Sequence, residues 1–129
     1  MFSSSMPNLY SADVSAAARF YAEQLGFSQT FQYPPTGTAR HVELRLGDSM
    51  LAITSHTAVH EAGLPAPSPG HTQELVVWCD DVDAAVARVR SAGAAVLVEP
   101  YDHVAGHRRA YVADPDGNWL AFVQSNLSS

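Results

Sequence analysis

The chain has one cysteine, few cationic side chains and no long apolar run, and each shortage excludes something. Cys79, the single cysteine, rules out an internal disulfide and points to a reducing compartment. It stands in an apolar run, where a small buried hydrophobe is expected rather than a nucleophile. Lysine and arginine together number 7 against 13 aspartates and glutamates, for a formal net charge of −6 at pH 7. With no basic cluster, nucleic acid and anionic membranes are not expected as partners. No apolar stretch reaches membrane-spanning length. The N-terminus lacks the basic-then-apolar pattern of a signal peptide, so a cytoplasmic protein is expected. Also missing are a Gly-x-Ser-x-Gly elbow, a P-loop and a dinucleotide fingerprint. What is present is apolar material: 47% of the 129 residues are hydrophobic and 16% are charged. That composition suits one compact domain with a sizeable core and argues against disorder.

The chain reads as a duplication. Asp13-Val-Ser-Ala-Ala-Ala-Arg-Phe-Tyr-Ala-Glu-Gln-Leu-Gly26 and Asp81-Val-Asp-Ala-Ala-Val-Ala-Arg-Val-Arg-Ser-Ala-Gly93 each open with an aspartate able to cap a helix and close with a glycine able to stop one. Apolar residues recur at helical spacing, at Val14, Ala18, Tyr21 and Leu25 and at Val82, Val86 and Val89. A short strand precedes each helix, near 6–10 and near 74–79, and three more follow. Those are expected at about 27–33, 39–46 and 49–54 and at about 95–100, 108–113 and 119–124. The fold class is therefore α+β, with tandem βαβββ modules at about 1–56 and 72–127. Between them, about 57–71, the Pro-, Gly- and His-rich stretch lacks periodicity and reads as a mobile connector or a lid.

Two hairpins fix which side chains share a face. Gly47-Asp48 suits a two-residue turn, pairing Leu46 with Ser49, Arg45 with Met50, Glu43 with Ala52 and His41 with Thr54. Val42, Leu44, Leu46, Leu51 and Ile53 then form the packed face, and His41, Glu43, Arg45, Met50, Ala52 and Thr54 the opposite one. Near the C-terminus, Asp114-Pro-Asp-Gly-Asn118 supplies a proline for the second turn position and a glycine for positive φ. That turn sets Trp119, Ala121 and Val123 on one face and Leu120 and Phe122 on the other.

These pieces resemble the vicinal oxygen chelate superfamily of glyoxalase I, extradiol dioxygenases, fosfomycin-resistance enzymes and bleomycin-resistance proteins. The matching segments are Asp13 through Phe20-Tyr21 to Leu25-Gly26-Phe27, Asp80-Asp81-Val82-Asp83-Ala84 to Ala92-Gly93, and Gly106-His-Arg108 running into Asp114–Asn118. Met6-Pro7, Leu25-Gly26-Phe27-Ser28, Trp78 and Phe122-Val123 look most like the bleomycin-resistance branch. That branch commonly carries Trp-Gly where this chain has Ala105-Gly106. The resemblance implies a cupped, incomplete barrel and a homodimer with cavities at or near the interface.

Metal-holding members use four side-chain ligands, two per module, and those positions fall here on Met6, Ala52, Glu74 and Ala121. Only Glu74 can hold a hard divalent ion: alanine has no donor and a thioether is a poor one. No metal and no other cofactor is expected. His56-Thr-Ala-Val-His60-Glu61 has a zinc-like spacing but is not His-Glu-x-x-His, and it adjoins the Pro-rich stretch. His103 and His107 flank a Gly-containing loop and are expected at the surface, as donors or stacking partners at a cavity mouth. Glu74 is either a lone inward carboxylate or part of a network with Arg45 or Arg109. Without metal ligands the site becomes wider and more apolar. Met6, Asn8, Tyr10, His41, Glu43 and Ala52 are expected to line it from the first module. From the second come Glu74, Val76, Trp78, His107, Arg109, Tyr111, Trp119 and Ala121. Phe31 and Tyr33 are further candidates, on a strand whose face the sequence leaves open. Rings beside a few polar anchors suit an aromatic, drug-sized ligand. The function this implies is metal-independent binding and sequestration, as in antibiotic-resistance proteins. The alternative is a lyase, isomerase or dioxygenase of the same fold, metal-dependent or with Glu74 as base.

Overall fold

A computed structural model describes residues 1, 4–68, 73–103 and 106–125. Two compact units divide between residues 69 and 70. His71, Ala105 and the expected end of the second module at 127 lie outside the described residues.

The first unit runs β1 (Asn8–Ser11), α1 (Val14–Leu25), β2 (Ser28–Tyr33), β3 (His41–Leu46), β4 (Ser49–Ser55) and α2 (His56–Glu61). Its strands form one open sheet in the order β1-β4-β3-β2, with β1 parallel to β4 and the other pairs antiparallel. Asp13 caps α1 by accepting from the Ala16 N–H at 3.0 Å, and Gly26 at φ 82° ends it, as the sequence predicts. α1 buries Val14, Ala17, Ala18 and Tyr21 against β3 and β4. Val42, Leu44, Leu51 and Ile53 are all at most 1% exposed. At about 1.5–3 kcal/mol for each large apolar side chain removed from water, this layer is the main source of the unit's stability. The β3–β4 register is the expected one pair for pair, from Leu46 with Ser49 to His41 with Thr54, and Gly47 takes the positive φ of 59° that the turn requires.

The second unit repeats the plan: β5 (Leu75–Trp78), α3 (Val82–Ser91), β6 (Val96–His103), β7 (His107–Ala113) and β8 (Trp119–Ser125), in the order β5-β8-β7-β6. Asp81 caps α3 through the Ala84 N–H, and Val82, Val86 and Val89 are buried. The helix packs on β6, β7 and β8, where Ala110, Val112, Leu120 and Phe122 are at most 1% exposed. Arg108 ties helix to sheet: it donates twice to Asp83, at 2.7 and 2.9 Å, and once to Asp102 at 3.0 Å. Its hydrogen bonds hold the Asp83 carboxyl below the usual range, and the two carboxylates raise the guanidinium in turn.

The hairpin at Asp114–Asn118 is built around one buried carboxylate. Asp114 is 5% exposed. Its Oδ1 accepts from the backbone N–H groups of Asp116 (2.9 Å) and Asn118 (2.8 Å), and its Oδ2 from the Asn118 side-chain amide (2.8 Å). Gly117, at φ 86°, donates its N–H to the Asp114 carbonyl.

Three sequence expectations change. Residues 57–61, read as the start of an irregular connector, belong with His56 to α2. Ser55 caps it by accepting from the Ala58 N–H at 3.1 Å, and Val59 is buried beneath it. His56 and His60 therefore sit one turn apart on a helix. His103 and His107 are strand residues, the last of β6 and the first of β7, paired across the turn rather than placed in a loop. And β6 runs to His103, three residues past its expected end, with its register shifted between Val96 and Val98 and again between Val98 and Tyr101.

Candidate functional site

In the first unit, strand pairing puts Asn8 and Tyr10 (β1), Ala52 and Thr54 (β4) and His41 and Glu43 (β3) on the sheet face opposite the packed one. Phe31 pairs with Glu43 and Tyr33 with His41, so both rings join this face. A hydrogen-bonded row crosses it. Thr54 Oγ1 donates to Asn8 Oδ1 at 2.7 Å and lies 2.8 Å from His41 Nδ1, while His41 Nε2 lies 3.0 Å from Glu43 Oε2. The Phe31 ring meets His41 edge-on, at 6.0 Å between centroids. Met6 precedes β1 and is exposed. Ala52 is 0% exposed, recessed below its neighbours.

In the second unit the open face is read in two rows. Val98, Tyr111, Ala121 and Val76 are successive partners across β6, β7, β8 and β5, and Tyr101, Arg109, Val123 and Trp78 form the next row. Leu75 partners Leu120, so Glu74 and Trp119 each stand one residue before that pair, at one end of the sheet. There Glu74, Leu97, Val98, Tyr111 and Trp119 line a cavity of about 430 Å³. Both tryptophans lie outside the core, Trp119 at 40% and Trp78 at 66% exposure. Ala121 is 0% exposed and is recessed like Ala52.

Arg109 organises the middle of this face. It donates to the Tyr111 hydroxyl at 2.9 Å, and its other terminal nitrogen lies 3.3 Å from His107 Nε2. Of the two readings for Glu74, the network with Arg109 is not formed. Among the described residues Glu74 has no ion pair or hydrogen bond and is a lone carboxylate.

Guanidinium can only donate, so His107 Nε2 accepts and its ring proton resides on Nδ1. The ring is stacked on His103 at 4.8 Å and 11°. His107 Nδ1 and Arg109 Nε are both buried without a hydrogen-bond partner. Burial holds the His107 imidazole below its ordinary 6.5, with Arg109 and His103 pushing the same way. The unfolded chain therefore takes up this proton at higher pH than the folded one. The stability it supplies is present above pH 6.5 and is lost as pH falls below that value. Thermal unfolding followed from neutral to mildly acidic pH should show this loss, and His107→Gln should flatten it. An unchanged slope in that variant would refute the assignment.

The metal-ligand positions implied by the resemblance do not suit a divalent ion. Ala52 and Ala121 are buried and carry no donor atom, and no group of three or more His, Cys, Asp or Glu clusters among the described residues. The expected site residues thus assemble within each unit. The first unit gathers Asn8, Tyr10, His41, Glu43 and Ala52, and the second gathers Glu74, Val76, Trp78, His107, Arg109, Tyr111, Trp119 and Ala121. Sequence reasoning missed Leu97 and Val98, because the β6 register shift breaks the alternation that would have marked them. Among the described residues no helix is long and apolar enough to cross a membrane.

A family model described as Glyoxalase/Bleomycin resistance protein/Dioxygenase superfamily matches residues 5–122. The anthracycline biosynthesis protein DnrV of Streptomyces peucetius is 29% identical over 117 residues, covering 85% of this chain and 42% of DnrV. The chain thus spans less than half the length of that relative. A glyoxalase/bleomycin resistance protein/dioxygenase family enzyme from Burkholderia phytofirmans PsJN shares the fold, with a TM-score of 0.83 at 23% identity over 92% of this chain and 95% of that one. TioX from Micromonospora sp. ML1 has a TM-score of 0.74 at 28% identity, over 95% and 98% of the two chains.

Proposed function

From the premise that this chain belongs to the glyoxalase/bleomycin resistance protein/dioxygenase superfamily, we propose that it binds a planar aromatic, drug-like molecule without a metal ion and holds it unchanged. The observation that carries this reading is the second-unit cavity. Among the described residues its walls are Trp119, Tyr111, Leu97 and Val98 and its one charged group is Glu74, and its volume is within the range of small-molecule sites. Flat rings stacked on Trp and Tyr faces gain apolar burial and offset-stacking energy together. Two donor-free alanines at the family's metal positions support metal independence. DnrV, named for anthracycline biosynthesis, and anthracyclines, which are fused-ring aromatics, support the ligand class.

Titration of the full chain with a panel of planar aromatics, including an anthracycline, tests this by tryptophan fluorescence and calorimetry. Saturable binding near one ligand per chain, unchanged after dialysis against EDTA, is the expected result. Chemical turnover of the ligand, or binding that EDTA abolishes, would overturn it. The competing reading, an enzyme with Glu74 as base, is favoured by that carboxylate's lack of a partner, and the same assay decides it by product formation. We also propose that the protein is a cytoplasmic homodimer. Each open sheet ends in two edge strands, and a second copy is one way to cover an edge. Light scattering of the purified chain measures the oligomeric state.

A further inference from the structure

We propose that the second-unit cavity selects aromatic ligands bearing a cationic nitrogen, with Glu74 as the counter-ion. This rests on the aromatic-ligand reading above and narrows it to a ligand class. Among the described residues lining the cavity, Glu74 is a carboxylate and none is a cation. Glu74 is exposed at the wall and has no ion pair among the described residues, so its charge is available to a ligand. Arg109, on the same face, is outside the described lining and directs its terminal nitrogens to the neutral groups of Tyr111 and His107. The other walls include the side chains of Trp119 and Tyr111, and aromatic rings attract an ammonium group through their quadrupoles.

One carboxylate beside two aromatic rings is poor chemistry for a divalent metal, which needs several hard donors. It is good chemistry for a large, weakly hydrated organic cation, which can be bound by a single charge and apolar contact. An anionic ligand would meet Glu74 with no cation among the described lining residues to compensate it.

Three naphthalene probes of similar size test the charge term on the full chain by calorimetry. They are (2-naphthylmethyl)trimethylammonium, 2-naphthylmethanol and 2-naphthylmethanesulfonate. The cation should bind about tenfold more tightly than the alcohol, and the sulfonate weakest. The ratio of cation to alcohol affinity should shrink with added salt and fall to near one in Glu74→Gln. Glu74→Asp should keep part of the preference. Equal binding of cation and alcohol, or a preference that survives in Glu74→Gln, would overturn the charge assignment and leave the aromatic reading standing. Failure of all three probes to bind would overturn both.

Discussion

Replacing Trp119 by alanine is expected to weaken binding of a planar aromatic ligand by about thirtyfold, or ~2 kcal/mol, the typical cost of deleting an aromatic anchor. Trp119 supplies the largest ring in the cavity, and its position is dictated by the hairpin that precedes it. Trp78 is the internal control. It lies on the same face, two rows from Trp119, and is not among the described residues that line the cavity. Trp78→Ala should change affinity by less than about threefold, because rim contacts contribute little. Both side chains are exposed, at 40% and 66%, so neither replacement opens a hole in the core. Calorimetry is the suitable readout, since it does not depend on the deleted fluorophore. Equal losses from the two variants would mean that the ligand sits elsewhere on the sheet.

The largest effect on stability is expected from Asp114→Ala, at about 3 kcal/mol. A buried carboxylate accepting three hydrogen bonds within the hairpin would be lost, and two backbone N–H groups would be left without their acceptor. For a chain of this size that corresponds to a fall in Tm of about 10 °C. Asp114→Asn keeps one acceptor oxygen and should cost about half as much. Because the same loop sets the β7–β8 register, ligand affinity should decline with stability in this series. A fall of less than about 1 kcal/mol in Asp114→Ala would show that Pro115 and Gly117 hold the turn without the carboxylate.

Both hairpin registers could be read directly from the residues, because turn chemistry and strict alternation agreed at Gly47-Asp48 and at Asp114–Asn118. So could both long helices, each marked by an aspartate cap and a repeating apolar face. The missed features share a physical cause: local irregularity that period-two or helical counting cannot follow. α2 is only six residues long, with one buried side chain, and prolines follow it closely, so no periodicity marks it. Phe31 and Tyr33 could not be assigned a face because the β2 register shifts between Gln29 and Phe31. The same defect in β6 hid Leu97 and Val98, two of the described residues lining the cavity. The alanines carried the opposite lesson. Ala52 and Ala121 lie on the expected sheet faces, but as floor beneath larger side chains rather than as surface.

The sheet orders β1-β4-β3-β2 and β5-β8-β7-β6 also govern how the molecule comes into being. In each unit the first strand is stitched to the last, in parallel, and everything between them must be made first. These are the unit's most distant pairings in sequence, the kind that delays folding most. On the ribosome, β5 emerges carrying Val76 and Trp78 and must wait for β8 to arrive. Until then an apolar, unpaired strand is open to wrong partners. The first unit faces the same interval, with β1 waiting for β4, so in each unit the final parallel pairing is what closes the exposed strand.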